Sequence, residues 1–287
     1  MSSGKELVEI PLAEIPPGVL DGIREKLWTF SAAVFAVDGE RPAHRGTATC
    51  VAAGGANYLL TAAHVWKSLR GKRFALSLDA DRLLIPVWRD FVQPQILPGV
   101  GPEEWGPDLA LIRIPDIVAS DLRRVKAFYN LDRRRSEYAE PARYDRGLWA
   151  VIGAPAEWSA FGPHDAVLQL SLFGSWIVKA CEREGLDYLD LAFDHEGRPD
   201  LPQSYGGISG SGLWQVAVTR SANTGVISWT DAVRLEGVAF FQEFTAKRRG
   251  VIRCHGRKSI FQALEGVAEQ GLATDERVQP REPPARS

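Results

Sequence analysis

Apolar and polar residues alternate with a period of two through most of the middle of this chain, and turn residues cut the alternation at short intervals. A short helix is expected first, over Pro17 to Trp28. Strands are expected at Phe30 to Val37 before Asp38-Gly39, at Gly46 to Ala52 before Gly54-Gly55, and at Tyr58 to Ala62. Arg73 to Leu78, Leu83 to Trp88 and Leu109 to Ile114 follow, the last stopped by Pro115. That makes about six strands, enough for one small barrel.

From Ile117 to Arg146 the chain is charged and only weakly periodic, which reads as a linker with a helical turn. A second strand set is expected at Leu148 to Ile152, Val167 to Leu172, Ser175 to Cys181, Asp187 to Phe193, Leu213 to Val218, Gly237 to Gln242 and Gly250 to Cys254. Lys258 to Glu269 carries Ile260, Phe261, Leu264 and Val267 at helical spacing, a closing amphipathic helix. The pattern divides the chain into an extension (1–29), a first barrel (30–116), a linker (117–146), a second barrel (147–257), a helix (258–271) and a disordered tail (272–287). The expected class is all-β, two six-stranded antiparallel barrels with a C-terminal helix.

Composition narrows the functions. With 287 residues, 45% hydrophobic and 24% charged, the chain is an ordinary globular one, and a net charge of -2 offers no footprint for nucleic acid or an anionic membrane. The runs Arg133-Arg134-Arg135 and Lys247-Arg248-Arg249 are too short to change this. Cys50, Cys181 and Cys254 have neither disulfide-framework nor metal-ligand spacing. No signal-peptide or membrane-length apolar stretch is visible, so a cytoplasmic location is expected. No metal and no organic cofactor is called for.

The chemistry concentrates in three short segments. Gly206-Gly207-Ile208-Ser209-Gly210-Ser211-Gly212 holds a serine among glycines, Thr61-Ala62-Ala63-His64 places a histidine after an apolar strand, and Pro107-Asp108-Leu109-Ala110-Leu111 places an aspartate before one. A serine hydroxyl needs a base within reach, and imidazole titrates near neutrality. A carboxylate then holds the imidazole tautomer and stabilises the imidazolium. An α/β-hydrolase elbow fits poorly, because that fold needs the order Ser, Asp, His and a mixed α/β pattern.

In order and flanks these segments resemble the trypsin-like, chymotrypsin-fold serine peptidases, over about Phe30 to Glu269. The separations, 44 residues from His64 to Asp108 and 101 from Asp108 to Ser209, are close to the family's. The resemblance implies His64 as base, Asp108 as its partner and Ser209, rather than Ser211, as nucleophile. Asp79, Asp81 and Asp90 stand as substitutes for Asp108. It further implies an oxyanion hole from the N–H groups of Gly207 and Ser209, and a substrate pocket with Gln203 at its base and Phe240, Phe241, Gln242 and Gly250 in its walls. A neutral Gln203 predicts a neutral or apolar residue before the scissile bond. Ile208 stands where zymogen-type members carry an acidic residue, so no activating cleavage is expected. The remaining histidines, His44, His164, His195 and His255, carry no motif and read as structural or surface groups.

The expected function is a serine endopeptidase acting on polypeptide substrate, with a regulatory protein partner left open. Two alternatives stand beside it: a pseudo-protease serving as a binding or scaffold module, and a non-peptidase acyl hydrolase.

Overall fold

The computed structural model describes residues 5–6, 14–38, 41–78, 84–87, 93–96, 105–138, 147–161, 166–168, 171–196, 198, 201–246 and 249–275. The substitutes Asp79, Asp81 and Asp90, together with His164, lie outside the described residues, as does the tail 276–287.

Strand β1 (Lys5–Glu6) and helix α1 (Pro17–Trp28) come first. The first sheet is built from β2 (Ser31–Asp38), β3 (Arg41–Ala53), β4 (Ala56–Thr61), β5 (Arg73–Ser77), β6 (Leu84–Val87), β7 (Gln93–Ile96) and β8 (Ala110–Ile114), with helix α2 (Ala63–Ser68) after β4. Its order is β6-β5-β2-β3-β4-β8-β7, and the short β9 (Tyr129–Asn130) joins it in parallel to β3. The second set is β10 (Leu148–Gly153), the small pair β11 (Ser159–Phe161) and β12 (Ala166–Leu168), β13 (Ser171–Ser175), β14 (Ile177–Arg183), β15 (Leu186–Asp194), β16 (Gly212–Ser221), β17 (Ile227–Ala246) and β18 (Arg249–Gly256). Its large sheet runs β13-β10-β16-β17-β18-β15-β14, with β1 on β16.

Each large sheet therefore counts eight strands among the described residues, against the six expected. The layout is the double-barrel, chymotrypsin-like one, two antiparallel sheets and a C-terminal helix. That helix, α5 (Arg257–Asp275), extends into the segment expected to be disordered.

Segment 117–138 is more ordered than a linker. Helices α3 (Asp116–Leu122) and α4 (Leu131–Arg134) bury Val118, Ala119, Leu122 and Leu131, so its apolar residues serve short packed turns rather than a long periodic element. Arg134 reaches Glu137, and Arg135 lies over Phe261 of α5, so two of the three arginines in the run make local contacts.

One hydrophobic cluster spans both sheets, and a second lies within the later strands. Phe30 stacks on Trp214 at 5.2 Å between ring centroids, and Tyr129 meets the same indole edge-on at 5.2 Å. β10 is buried at every position, which explains its unbroken apolar sequence Leu148-Trp149-Ala150-Val151-Ile152.

Candidate active site

Antiparallel pairing brings the histidine and aspartate together. β4 and β8 pair with Thr61 opposite Ala110, so the chain continuing to His64 and the chain arriving from Asp108 leave the sheet at the same end. There the Asp108 carboxylate accepts two hydrogen bonds from one residue: the His64 backbone N–H at 2.7 Å and His64 Nδ1 at 2.5 Å. Burial works to raise the Asp108 pKa, but the bonds and charge of His64 outweigh it and hold the carboxyl below its ordinary value. The geometry fixes the position of the imidazole and sets Nδ1–H as the donor to the carboxylate.

The serine lies on the other sheet's loop, 203–211, before β16. One wall is apolar: Ile208 is buried, in a cluster with Trp149, Val151 and Tyr205. Opposite runs β3 of the first sheet. Thr47 N–H donates to Ser209 O at 2.8 Å, Thr47 Oγ1 to Gly207 O at 3.1 Å, and Thr49 Oγ1 to Gly210 O at 3.3 Å. Ala156 N–H holds Gly206 O at 2.7 Å, and Ser211 N–H holds Ile208 O at 2.8 Å. Every carbonyl from Gly206 to Gly210 is thus taken.

The N–H groups divide differently. Those of Gln203 and Ser204 go to the Glu157 carboxylate, that of Tyr205 to Gln242 Oε1, that of Gly206 to Ser204 Oγ, that of Ile208 to Tyr205 O, and that of Gly210 to Ala239 O. Among the described residues those of Gly207 and Ser209 have no acceptor. In a trans peptide the C=O and N–H point opposite ways, so tying Gly206 O to Ala156 turns the Gly207 N–H outward. Gly207 has φ +96°, and a Cβ there would sit 2.7 Å from Ala154 O and 2.7 Å from His44 Cε1.

The two serines differ in access. Ser211 is fully buried, and a Cβ on Gly153 would stand 2.2 Å from its hydroxyl. Ser209 borders a pocket of about 160 Å³. Its hydroxyl donates to Phe240 O at 3.5 Å, and no hydrogen bond joins it to His64 in this conformation. The pocket is walled by Ile208, Ala239, Phe240, Phe241 and Ile252, with Ser204, Tyr205, Gly206 and Gln242 completing it and no charged group in the lining.

Of the expected pocket residues, Phe240, Phe241 and Gln242 line this space, while Gln203 and Gly250 do not. Gln203 is exposed. Gly250 packs within the sheet, where a Cβ would fall 1.9 Å from Glu243 O.

Two histidines without a motif sit beside the site. His255 is buried and stacks on Phe240 at 4.4 Å, and its Nε2 accepts the backbone N–H of Asp108 at 2.9 Å. His44 donates from Nε2 to Gly46 O at 2.8 Å and lies against Gly207. Burial pushes each down to about 4, so both are neutral imidazoles at neutral pH. Neither had a sequence signal, since each is a single histidine in or near a strand. His195, buried like His255, pairs with Tyr205 Oη at 2.6 Å.

No group of three or more His, Cys, Asp or Glu suited to a metal ion occurs among the described residues, and no helix there is long and apolar enough to cross a membrane. No family model and no curated protein matches the chain. Among solved structures, the active form of the Rv3671c protease from M. tuberculosis is 14% identical, with 90% of this chain and 93% of that chain covered and a TM-score of 0.46. An inactive form of the same protein covers 96% of this chain and 100% of that chain, at 14% identity and a TM-score of 0.43. The HtrA-type protease AlgW with a decapeptide is 15% identical, covering 88% of this chain and 67% of that chain, with a TM-score of 0.46.

Proposed function

We propose that the chain is a serine endopeptidase in which Ser209 is the nucleophile, His64 the general base and acid, and Asp108 the group that orients His64. The observation that carries this reading is the pairing of a histidine clamped twice by Asp108 with a serine loop whose N–H groups are all engaged except those of Gly207 and Ser209. In the reaction Ser209 Oγ turns from the Phe240 carbonyl toward His64 Nε2. As Oγ bonds to the substrate carbonyl carbon, its proton passes to Nε2, and the carbonyl oxygen becomes an oxyanion facing the two open N–H groups. Collapse breaks the C–N bond, and the leaving amine takes the proton from Nε2. Water repeats the sequence on the acyl-enzyme.

The substrate backbone has a place to pair. β16 pairs with β17 only as far as Val238, so from Phe240 onward the edge of β17 nearest Ser209 is open for an extended peptide. An uncharged lining of aliphatic and aromatic residues supports a neutral or apolar residue before the scissile bond.

A fluorophosphonate probe applied to the wild type and to Ser209→Ala, followed by a peptide-library digest, tests the reading. Labelling and cleavage should belong to the wild type alone, with turnover falling about 10⁶-fold on substitution. Absence of labelling would favour the scaffold reading, labelling with ester but no peptide hydrolysis the acyl-hydrolase reading, and a profile dominated by Arg or Lys would overturn the pocket assignment.

A further inference from the structure

Resting on that reading, we propose that Thr47 is a positioning residue for the oxyanion-binding backbone: its side-chain hydroxyl, supplied by the first sheet, sets the Gly207–Ser209 peptides of the second. The loop has little stiffness of its own, since Gly206, Gly207 and Gly210 contribute no side chains and two of them adopt positive φ. Its shape must come from what it touches.

On the inner side that contact is apolar, the burial of Ile208. On the outer side it is Thr47, wholly buried, which holds two successive loop elements with two different groups: Oγ1–H on Gly207 O and N–H on Ser209 O. A hydroxyl can donate once while still accepting, and here it also lies 3.5 Å from Ala154 N–H, in the turn that carries Ala156 N–H to Gly206 O. Thr47 is itself fixed, because Thr61 Oγ1 donates to its carbonyl at 2.7 Å. One hydroxyl therefore joins the three segments that define where the Gly207 N–H points: strand β3, the 153–156 turn and the nucleophile loop.

The clamp involves no charge. A loop set by an ion pair depends on the charge state of its partners, whereas a threonine hydroxyl and a buried isoleucine need only folding of the two sheets against each other. This gives the loop a means of standing ready without a newly formed N-terminal amine.

Thr47→Val keeps the shape, removes the hydroxyl and leaves the Gly207 carbonyl without its donor. It should slow fluorophosphonate labelling and lower kcat by about 10- to 100-fold, less than the 10²–10³ expected on deleting an oxyanion donor outright. KM should change little, and affinity for a peptide boronate, which forms a tetrahedral adduct, should fall in step with kcat. Thr47→Ser, which restores the hydroxyl, should recover most of the rate. Thr49→Val is the control: it strips a hydroxyl from a carbonyl beyond the nucleophile and should cost stability without a comparable loss of kcat. If Thr47→Val is too unstable to purify, Thr47→Ser against Thr47→Ala makes the same comparison. Wild-type labelling at Ser209 with an unchanged rate in the hydroxyl-free variants would overturn the assignment, as would equal kcat losses in Thr47→Val and Thr49→Val. Failure of the wild type to label would instead reject the serine-hydrolase reading on which the assignment rests.

Discussion

The two halves of the candidate site are held by different kinds of structure. His64 and Asp108 leave the same end of two directly paired strands, and a single carboxylate ties both the backbone and the ring of His64. Ser209 stands on a glycine-rich loop held from several sides by Thr47, Thr49, Ala156 and Ala239 and by the burial of Ile208. The ring and main chain of His64 are tied within the first sheet, with His255 of the second adding a hold on the Asp108 N–H; the nucleophile loop takes its shape only when both sheets are docked. The base thus depends on the second sheet through one contact, whereas the nucleophile's surroundings depend on it throughout.

The sharpest way to break the first half is Asp108→Asn. The amide nearly preserves the shape but presents a donor where His64 Nδ1–H needs an acceptor, favouring the wrong tautomer, and turnover should fall by about 10⁴. Labelling rates of the purified variant measure this. A loss of less than tenfold would mean that another group orients His64. The corresponding disturbance of the second half is Gly207→Ala. Its methyl group would meet the Ala154 carbonyl oxygen at 2.7 Å from a backbone φ of +96°, and the displaced N–H should lower kcat by about 10²–10³. Wild-type kcat in this variant would exclude the Gly207 N–H from the oxyanion site.

The same contrast decides what could be read from the chain. Helix α1 was legible to the residue, and β4, β8 and β10 nearly so, because their apolar patterns are strong and local. The strand pair that carries His64 and Asp108 was therefore visible in outline. The first half of β17 was not, because only Ile227 and Trp229 turn inward there, both partly buried, before Asp231 breaks the alternation; α1 packs beside it where Gly22 approaches the Trp229 ring. Thr47 and Thr49 read simply as strand formers, since nothing in a β-branched residue says whether its hydroxyl reaches a chain segment 160 residues away. His255 was hidden for the same reason: its contact with Asp108 crosses between sheets that sequence periodicity treats separately.

That contact leads to the smallest expected effect and makes acid a probe of the junction between the two sheets. His255 Nε2 accepts the Asp108 N–H, so a proton on Nε2 would set two donors face to face. Burial lowers its pKa from 6.5 to about 4, against the opposing pull of Asp108 and Asp187. Below pH 6.5 the unfolded chain takes up a proton that the folded one refuses, so stability should fall with pH from 6.5 and level off near 4. The full loss is about 3 kcal/mol for this histidine, with a similar share for His44, whose pKa burial lowers over the same range. Asp108 has the same sign but acts lower: its folded pKa lies below 3.8, so its contribution persists through this window and is lost only as pH falls further. Urea unfolding between pH 4.5 and 7.5 should show the slope in the wild type and a shallower one in His255→Asn. An unchanged slope in that variant would mean that His255 is protonated in the folded protein, and that the Asp108 N–H is held by something other than a neutral imidazole.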